Sequence, residues 1–327
     1  MSPFAISRSD EQLAALRRGT VVVRVRPAVF RIVGSGALDC LQGLLTNDLA
    51  APGVDRLVYG ALLTPKGMIV ADYFVCRTAE GFVLVAAPEA HGPSLELFRR
   101  QIPPRLARVT DLTGTWEALL VLGDAADARL DALQTGLAAT EPGTVRRLGD
   151  SGALVARGTP ASPFEALVAG PVDAVDAAAA TLVTAGARLG DVEDAEAARI
   201  LAGWPRLGAE IGERTLPQEV RYDEIGGLSY TKGCYVGQET VARLHFRGHT
   251  NRDLRGVVWA RDVEAPATGE LRLDGKSVGE VRSVLQLDGR ALGLALIRRE
   301  VENGTTLDGD AGPARVVPLP FGPHDAD

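Results

Sequence analysis

Three two-residue turn signals lie in the last quarter of the chain, at Asp274-Gly275, Asp288-Gly289 and Asn303-Gly304. Asp-Gly and Asn-Gly pairs adopt the positive φ angles of tight hairpin turns, so they favour antiparallel strands on either side. The runs between these pairs are short and rich in aliphatic residues. We therefore predict a small C-terminal β-barrel over residues 251–327.

The rest of the chain mixes strand and helix patterns. With 327 residues in total, the chain is too long for one core, and two or three domains are expected. Ala-rich stretches predict helices from Asp124 to about Leu137 and from Val172 to about Ala185, with strands before and between them. That order is typical of a ferredoxin-like α+β sandwich, which we assign to residues 116–190.

The N-terminal portion, residues 1–115, reads as an α/β unit. Its β-rich runs are separated by Pro65-Lys66-Gly67 and by Ala79-Glu80-Gly81, which predict hairpin turns in a β-meander. Residues 191–250 begin with a helix that Asp191 is placed to cap and end in an irregular segment. The fold class that follows is α+β.

Composition and charge exclude several classes of protein. The 35 Lys and Arg residues against 42 Asp and Glu give a net charge of −7, without a basic block, which argues against a protein that coats duplex nucleic acid. No stretch approaches the roughly 18 apolar residues of a membrane span, and the N-terminus has no signal-peptide pattern. We expect a cytoplasmic protein without a membrane partner.

Cysteine and histidine spacing gives no metal site. Cys40, Cys76 and Cys234 are widely separated and form no C-x-x-C pair, so neither a disulfide framework nor a cysteine metal site is expected. His245 and His249 have the i, i+4 spacing of some metal-binding helices. Because no carboxylate accompanies them at the required place, we interpret this stretch as a basic loop.

The most unusual segment is Thr-Lys-Gly-Cys-Tyr-Val-Gly-Gln-Glu at residues 231–239. Two glycines bracket Cys234 in a stretch that is neither helical nor alternating, which predicts a tight turn that needs glycine conformations. Such a turn would present the thiol, and Lys232 with the arginines that follow would stabilise a thiolate. The alternative is a buried cysteine of small hydrophobic type.

At these residues the chain resembles a known family. KGCYVGQE is similar to the K-G-C-Y-x-G-Q-E signature of the YgfZ/GcvT-related folate-binding family, whose mitochondrial relatives serve iron–sulfur cluster assembly. RILAGWPRLGAEI resembles the family's R-x-x-A-G-x-P-x-x-G segment, LPQEV its P-x-E, and GALLTPKGMIVAD its L-T-P-x-G-x-x-x-x-D element. The likeness covers most of the chain.

This resemblance implies a three-domain fold like that of the T-protein, the aminomethyltransferase of glycine cleavage. Its domains form a ring around a cavity that binds tetrahydrofolate or a one-carbon derivative. The first two portions would interleave, and the segment 191–250 would return to the N-terminal domain.

The resemblance also implies a set of folate-binding residues. Glu219 matches the P-x-E carboxylate that grips the pterin in the transferase, and a carboxylate can accept two N–H donors from the pterin edge. Otherwise Glu219 is an exposed loop residue. Asn47 would face the cavity or simply end a helix. The rest of the set comes from the signature region: Tyr235, Gly237, Gln238, Glu239 and Arg243.

Asp72 is the candidate for proton transfer. The transferase carries two adjacent acids in a G-G-I-x-D-D element, and here only Asp72 stands at the corresponding place. It is either the counterpart of the catalytic acid or a solvated strand residue. The transferase also lacks the K-G-C-Y-x-G-Q-E signature, and both departures weigh against aminomethyl transfer.

Three functions follow, and they leave open whether the protein is an enzyme. The leading hypothesis is a tetrahydrofolate-binding accessory factor in iron–sulfur cluster assembly or repair, with Cys234 polarised by Lys232 and transient contacts to client or assembly proteins. One cysteine cannot hold a cluster alone. The alternative is a folate-dependent aminomethyltransferase or demethylase in which Asp72 moves a proton. The third is a folate-binding module without chemistry.

Overall fold

The structure is a computed structural model that describes residues 4–259 and 269–322. The α-helices are α1 Asp10–Arg18, α2 Ala37–Leu44, α3 His91–Gln101, α4 Asp127–Leu130, α5 Val172–Thr184, α6 Val192–Leu201 and α7 Gln238–Arg247. Short 3-10 helices span Pro88–Ala90, Asp131–Leu133, Leu137–Ala139 and Pro217–Val220. Among the described residues, no helix is long and apolar enough to cross a membrane.

The strands fall into three sheets. Their bounds are β1 Phe4–Ser7, β2 Val21–Val25, β3 Ala28–Val33, β4 Arg56–Leu63, β5 Ile69–Thr78, β6 Gly81–Ala86, β7 Arg108–Asp111, β8 Trp116–Leu122, β9 Val145–Arg147, β10 Leu154–Arg157, β11 Ala166–Pro171, β12 Arg188–Leu189, β13 Arg252–Trp259, β14 Glu270–Leu273, β15 Lys276–Leu287, β16 Arg290–Arg298, β17 Thr306–Gly309 and β18 Gly312–Val317.

The N-terminal sheet has five strands in the order β4-β5-β6-β3-β7, and all neighbours are antiparallel. The predicted turns at residues 65–67 and 79–81 do connect paired strands, β4 with β5 and β5 with β6. One face of the sheet packs on α2 and α3 through an apolar core that includes Phe30, Leu41 and Phe98. The opposite face is left for the cavity described below.

The second sheet has the order β12-β2-β8-β11-β10-β9, with α5 packed on one face. Strand β2 precedes the N-terminal sheet in the chain but pairs with β8, so the chain leaves this sheet and returns to it. The domain limits that we drew stay predictions. The long helix expected from Asp124 is wrong, because Gln134 and Gly136 adopt positive φ angles that an α-helix cannot include. Only α4 and two short 3-10 turns form there.

The predicted C-terminal β-barrel is confirmed over its described residues. The strands β15-β14-β17-β18-β13-β16 form a ring that β15 and β16 close, and β1 adds to β15 in parallel. The turns at 274–275 and 288–289 connect paired strands. The hairpin predicted at Asn303-Gly304 is wrong: Gly304 has the expected positive φ, but β17 pairs with β14 and β18 instead of β16.

Helix α6 lies where the three sheets meet. Asp191 caps it as predicted, because its carboxylate accepts from the backbone N–H groups of Glu193 and Asp194. Ile200 on this helix belongs to one buried core together with Tyr59 of the N-terminal sheet and Leu285 of the barrel. The helix is thereby packed against both the N-terminal sheet and the barrel, which fixes the position of the side chains on its other face.

Helix α7 corrects a further expectation. Residues 244–247 of the stretch that we interpreted as a basic loop form the last turn of this helix, Gly248 ends the helix, and residues 249–251 lie outside it. Gly237 begins the helix in the left-handed conformation, which L-residues rarely adopt.

Candidate functional site

A cavity of about 640 Å³ lies between α6 and the two N-terminal sheets, by which we mean the N-terminal sheet and the second sheet. A volume of this size is typical of sites that enclose a cofactor-sized ligand. Its walls come from β2, β8 and β11 on one side, from β4, β5 and β6 on the other, and from α6 with the loop after it. The polar or aromatic lining residues are Arg24, Arg26, Tyr59, Asp72, Tyr73, Phe74, Phe164, Glu196, Arg199, Trp204 and Arg206.

Aromatic rings build one part of the wall. The Trp204 ring centroid lies 4.6 Å from that of Tyr59 and 5.4 Å from that of Phe74, whose plane is within 21° of the indole plane. Phe164 meets Phe74 edge-on at 4.8 Å. Such a wall offers flat apolar surface to a planar ligand ring.

Asp72 stands in this wall in the middle of β5. It is buried, and its Oδ2 accepts hydrogen bonds from the hydroxyls of Tyr59 at 2.6 Å and Tyr222 at 3.2 Å. Burial raises the pKa of the Asp72 carboxyl, against the two tyrosine hydrogen bonds that lower it. The interpretation of Asp72 as a solvated strand residue is therefore wrong.

Glu196 supplies the second carboxylate of the cavity. Its oxygens accept from Arg199 Nη2 at 2.5 Å and Nε at 2.9 Å, and Arg206 Nη1 lies 3.5 Å from Oε2. Burial alone would raise the pKa of Glu196, but the guanidinium groups of Arg199 and Arg206 lower it below its ordinary value. Sequence reasoning missed Glu196; the i, i+3 spacing of Glu196 and Arg199 on a capped helix was the available signal.

Glu219 lies outside the cavity lining. Its Oε2 accepts from the backbone N–H of Leu216 at 2.9 Å, and its Oε1 accepts from Arg252 Nε at 3.0 Å. It is buried rather than exposed, and it joins the 3-10 helix Pro217–Val220 to β13 of the barrel. Glu219 therefore lies neither in the cavity nor in an exposed loop.

Lys232 has partners other than the thiol it was expected to polarise. Its ammonium donates to the carbonyl oxygens of Leu45 at 2.7 Å and Asn47 at 2.8 Å, and lies 5.2 Å from the centroid of the Tyr235 ring. Burial lowers the pKa of Lys232 to about 8. The contacts join the signature segment to the C-terminal end of α2, where the helix dipole also stabilises the positive charge of Lys232.

The signature segment at residues 231–239 packs through a glycine against the turn between β4 and β5. Gly237 has φ +82°, and a Cβ there would lie 2.6 Å from the carbonyl oxygen of Thr64 in the turn between β4 and β5. Asn47, close by, donates to the carbonyl oxygens of Tyr59 at 2.8 Å and Gly226 at 2.7 Å. By contrast, a Cβ at Gly233 would have no atom within 4 Å, so only one of the two glycines is required by its surroundings.

Tyr235 is buried, and the other signature residues lie on or near the surface. Cys234 is exposed, as are Glu239 and Arg243, while Gln238 is half-buried at the start of α7. Of the ten site residues predicted from the sequence, Asp72 alone lines the cavity. Within residues 4–259 and 269–322, no group of three or more His, Cys, Asp or Glu side chains could hold a metal ion.

Comparison with known proteins identifies the family. The model of the GCVT N-terminal domain matches residues 10–224, and the chain belongs to this family. It is 29% identical over 306 residues, 90% of each chain, to the tRNA-modifying protein YgfZ of Sodalis glossinidius. It is 30% identical over 344 residues, covering 97% of this chain and 89% of the relative, to an aminomethyltransferase of Rubrobacter xylanophilus.

A solved structure confirms the fold. The glycine cleavage system aminomethyltransferase T from Bartonella henselae superposes with a TM-score of 0.78 at 18% identity, covering 95% of this chain and 89% of that one. The T-protein-like α+β fold expected from the sequence is therefore confirmed, as is the resemblance to the YgfZ/GcvT-related proteins.

Proposed function

We propose that the protein binds tetrahydrofolate, or a one-carbon derivative of it, in the cavity between the two N-terminal sheets. The observation that carries this proposal is the combination of a flat aromatic wall with two carboxylates, the buried Asp72 and the half-buried Glu196, in a cavity of about 640 Å³. A pterin is planar and presents N–H donors on one edge, which suits Trp204, Phe74, Asp72 and Glu196.

The arginines of the lining fit the other end of such a ligand. Folates end in a glutamate, whose carboxylates pair with guanidinium groups. Arg24 and Arg26 both line the cavity. Arg24 contacts Glu117 and Asp176, and Arg26, whose side chain is largely exposed, lies 3.2 Å from Glu117. Bound tetrahydrofolate would supply a nitrogen that carries one-carbon groups. The protein's part is to enclose the pterin, orient it and place Asp72 near it.

Isothermal titration calorimetry with tetrahydrofolate under anaerobic conditions tests this proposal. We expect Glu196→Gln to weaken binding at least about tenfold, because a charge-assisted hydrogen bond contributes about 1.5–3 kcal/mol. The matched control is Glu219→Gln, which changes a buried carboxylate outside the cavity and should alter the affinity less than about threefold. Absence of binding to the folded wild-type protein, or a loss confined to Glu219→Gln, would contradict the proposal.

We propose further that the protein is a cytoplasmic accessory factor in iron–sulfur cluster assembly or repair. The resemblance of its signature segment and the exposed thiol of Cys234, which a partner can reach, support this role. A soft thiolate suits iron and sulfur. Since a cluster usually needs four ligands, Cys234 would share it transiently with a client or assembly protein.

The ammonium of Lys232 is committed to backbone carbonyls, so the proposed role of Cys234 does not include its polarisation by this lysine. The test is the activity of cluster-dependent enzymes in cells that carry Cys234→Ala. Normal activities at normal protein levels would remove the thiol from the proposal, and Cys76→Ala, a change in the core, reports the effect of lowered stability alone.

A second candidate is folate-dependent aminomethyl transfer or demethylation, because Asp72 lies in the cavity wall. A carboxyl with a raised pKa beside a bound substrate can take up and return a proton. Formation of methylenetetrahydrofolate from tetrahydrofolate and an aminomethyl donor, abolished by Asp72→Asn with retained folate binding, would support it. Folate binding without any product would leave a binding module.

A further inference from the structure

The C-terminal end of α7 carries an exposed aromatic cluster that the cavity does not use. The rings of Tyr230 and His245 stack with centroids 3.7 Å apart and planes 18° apart. Phe246 meets the His245 ring edge-on at 4.7 Å and is 68% exposed. Three adjoining rings at the surface, one of them mostly open to water, provide a stacking platform.

Two arginines of α7 lie close to this cluster in the sequence. Arg243 and Arg247 are one turn apart on α7, both are exposed, and neither guanidinium group forms a hydrogen bond or ion pair with any residue in the described ranges. His249 follows, also exposed. In a chain of net charge −7, these two exposed guanidinium groups, one turn apart, give the end of α7 local positive charge.

Carboxylates also lie in this region. Asp223 accepts from the Tyr230 hydroxyl, and Asp253 accepts from the Thr250 hydroxyl and lies 3.7 Å from Arg255. Glu239 is in the first turn of α7, one turn before Arg243 and two turns before Arg247. Within the described residues, neither arginine forms an ion pair with any of these carboxylates.

We propose that this α7 surface, formed by Tyr230, Arg243, His245, Phe246, Arg247 and His249, binds single-stranded nucleic acid. Unpaired bases stack on exposed aromatic rings, and phosphates pair with guanidinium groups. An acidic peptide would satisfy the arginines but leave the rings without a planar partner. A duplex hides its base faces and requires a longer basic track than two arginines.

The test is fluorescence anisotropy of a labelled oligouridylate of about 12 nucleotides, titrated with the full-length protein at low salt. We expect Phe246→Ala to weaken binding about tenfold, as loss of one base–aromatic stack does. Arg243→Ala should weaken it and reduce the slope of log K against log salt by about 0.7, the value for one phosphate contact on a single strand.

Matched controls come from remote exposed positions. Leu189→Ala removes an apolar side chain that is 63% exposed, and Arg298→Ala removes an arginine whose side chain is 61% exposed. Neither should change the affinity. The proposal is overturned if the folded protein gives no anisotropy change, or if the control variants lose binding equally. It is also overturned if polyglutamate or a duplex of the same length displaces the strand as well as unlabelled oligouridylate does.

Discussion

The signature segment around Cys234 and the cavity between the two N-terminal sheets use their polar groups in different ways. In the segment, Lys232 binds backbone carbonyls and Gly237 fits against a neighbouring turn, so both serve the protein's own packing. In the cavity, Asp72 is buried and Glu196 is half-buried, yet both line open space. A recognisable motif can thus mark a junction in the fold while the cavity that we propose for the ligand lies elsewhere.

The contact between the signature segment and the turn after β4 supports this distinction. A Cβ at Gly67, in the turn after β4, would lie 2.8 Å from the Cβ of Thr240, and one at Gly237 would meet the carbonyl of Thr64. Gly67 therefore has to be small because of Thr240, and Gly237 has to be small because of the turn. The packing of the turn against the signature segment is enough to explain why both occur in one chain, without a ligand.

The largest effect that we predict for this junction is that of Lys232→Met. The change removes two charged hydrogen bonds and leaves the carbonyls of Leu45 and Asn47 without them, which should lower the free energy of unfolding by about 3 kcal/mol. Chemical denaturation measures this. Lys66→Met, at an exposed turn position, is the control and should change it by less than about 0.5 kcal/mol. Equal effects of the two changes would show that the junction does not depend on the lysine.

Gly237→Ala should have a smaller effect, a loss of about 2 kcal/mol, because a left-handed backbone and a carbonyl 2.6 Å from the new Cβ both oppose it. Gly233→Ala, four positions earlier in the same signature, should cost less than about 0.5 kcal/mol since its Cβ would meet nothing within 4 Å. Thermal or chemical denaturation of the pair distinguishes them. If both glycines tolerate alanine, the packing account of the signature is wrong.

Asp72→Asn should show a pH-dependent effect that the signature variants lack. Burial raises the folded pKa of Asp72 above its ordinary value of 3.8, so as pH rises the unfolded chain releases this proton first. The wild-type protein should therefore lose stability relative to Asp72→Asn from about pH 4 upward, until the folded carboxyl also ionises, by at most about 1.4 kcal/mol per pH unit. Denaturation curves between pH 4 and pH 7 measure the difference. A stability difference that grows in the opposite direction would contradict the burial of Asp72.

Sequence patterns predicted local structure better than the partners of each element. The Asp288-Gly289 turn joins the strands it was expected to join, whereas Gly304 turns the chain toward a different neighbour. Turn chemistry depends on two residues, but strand order depends on the closure of the whole barrel. The helix expected after Asp124 failed because packing against the second sheet overrode the helix propensity of alanine.

The prediction of the cavity residues from the sequence has the same limit. Asp72 was found because it belongs to a recognisable element, while Trp204 and Glu196 follow from how α6 is held against two sheets. Glu219 has its partner Arg252 on a barrel strand, so its engagement could be seen only in the fold. Residue type indicated which side chains are able to bind a pterin, and tertiary structure decided which of them reach the cavity.

Hydrogen exchange measured by mass spectrometry, with and without tetrahydrofolate, tests most directly that the ligand occupies the cavity. The account predicts slower exchange in peptides that cover residues 69–75 and 192–207, and unchanged exchange in those that cover 229–241. Protection confined to residues 216–241, around Glu219 and the signature segment, would contradict it and place the ligand at the junction instead.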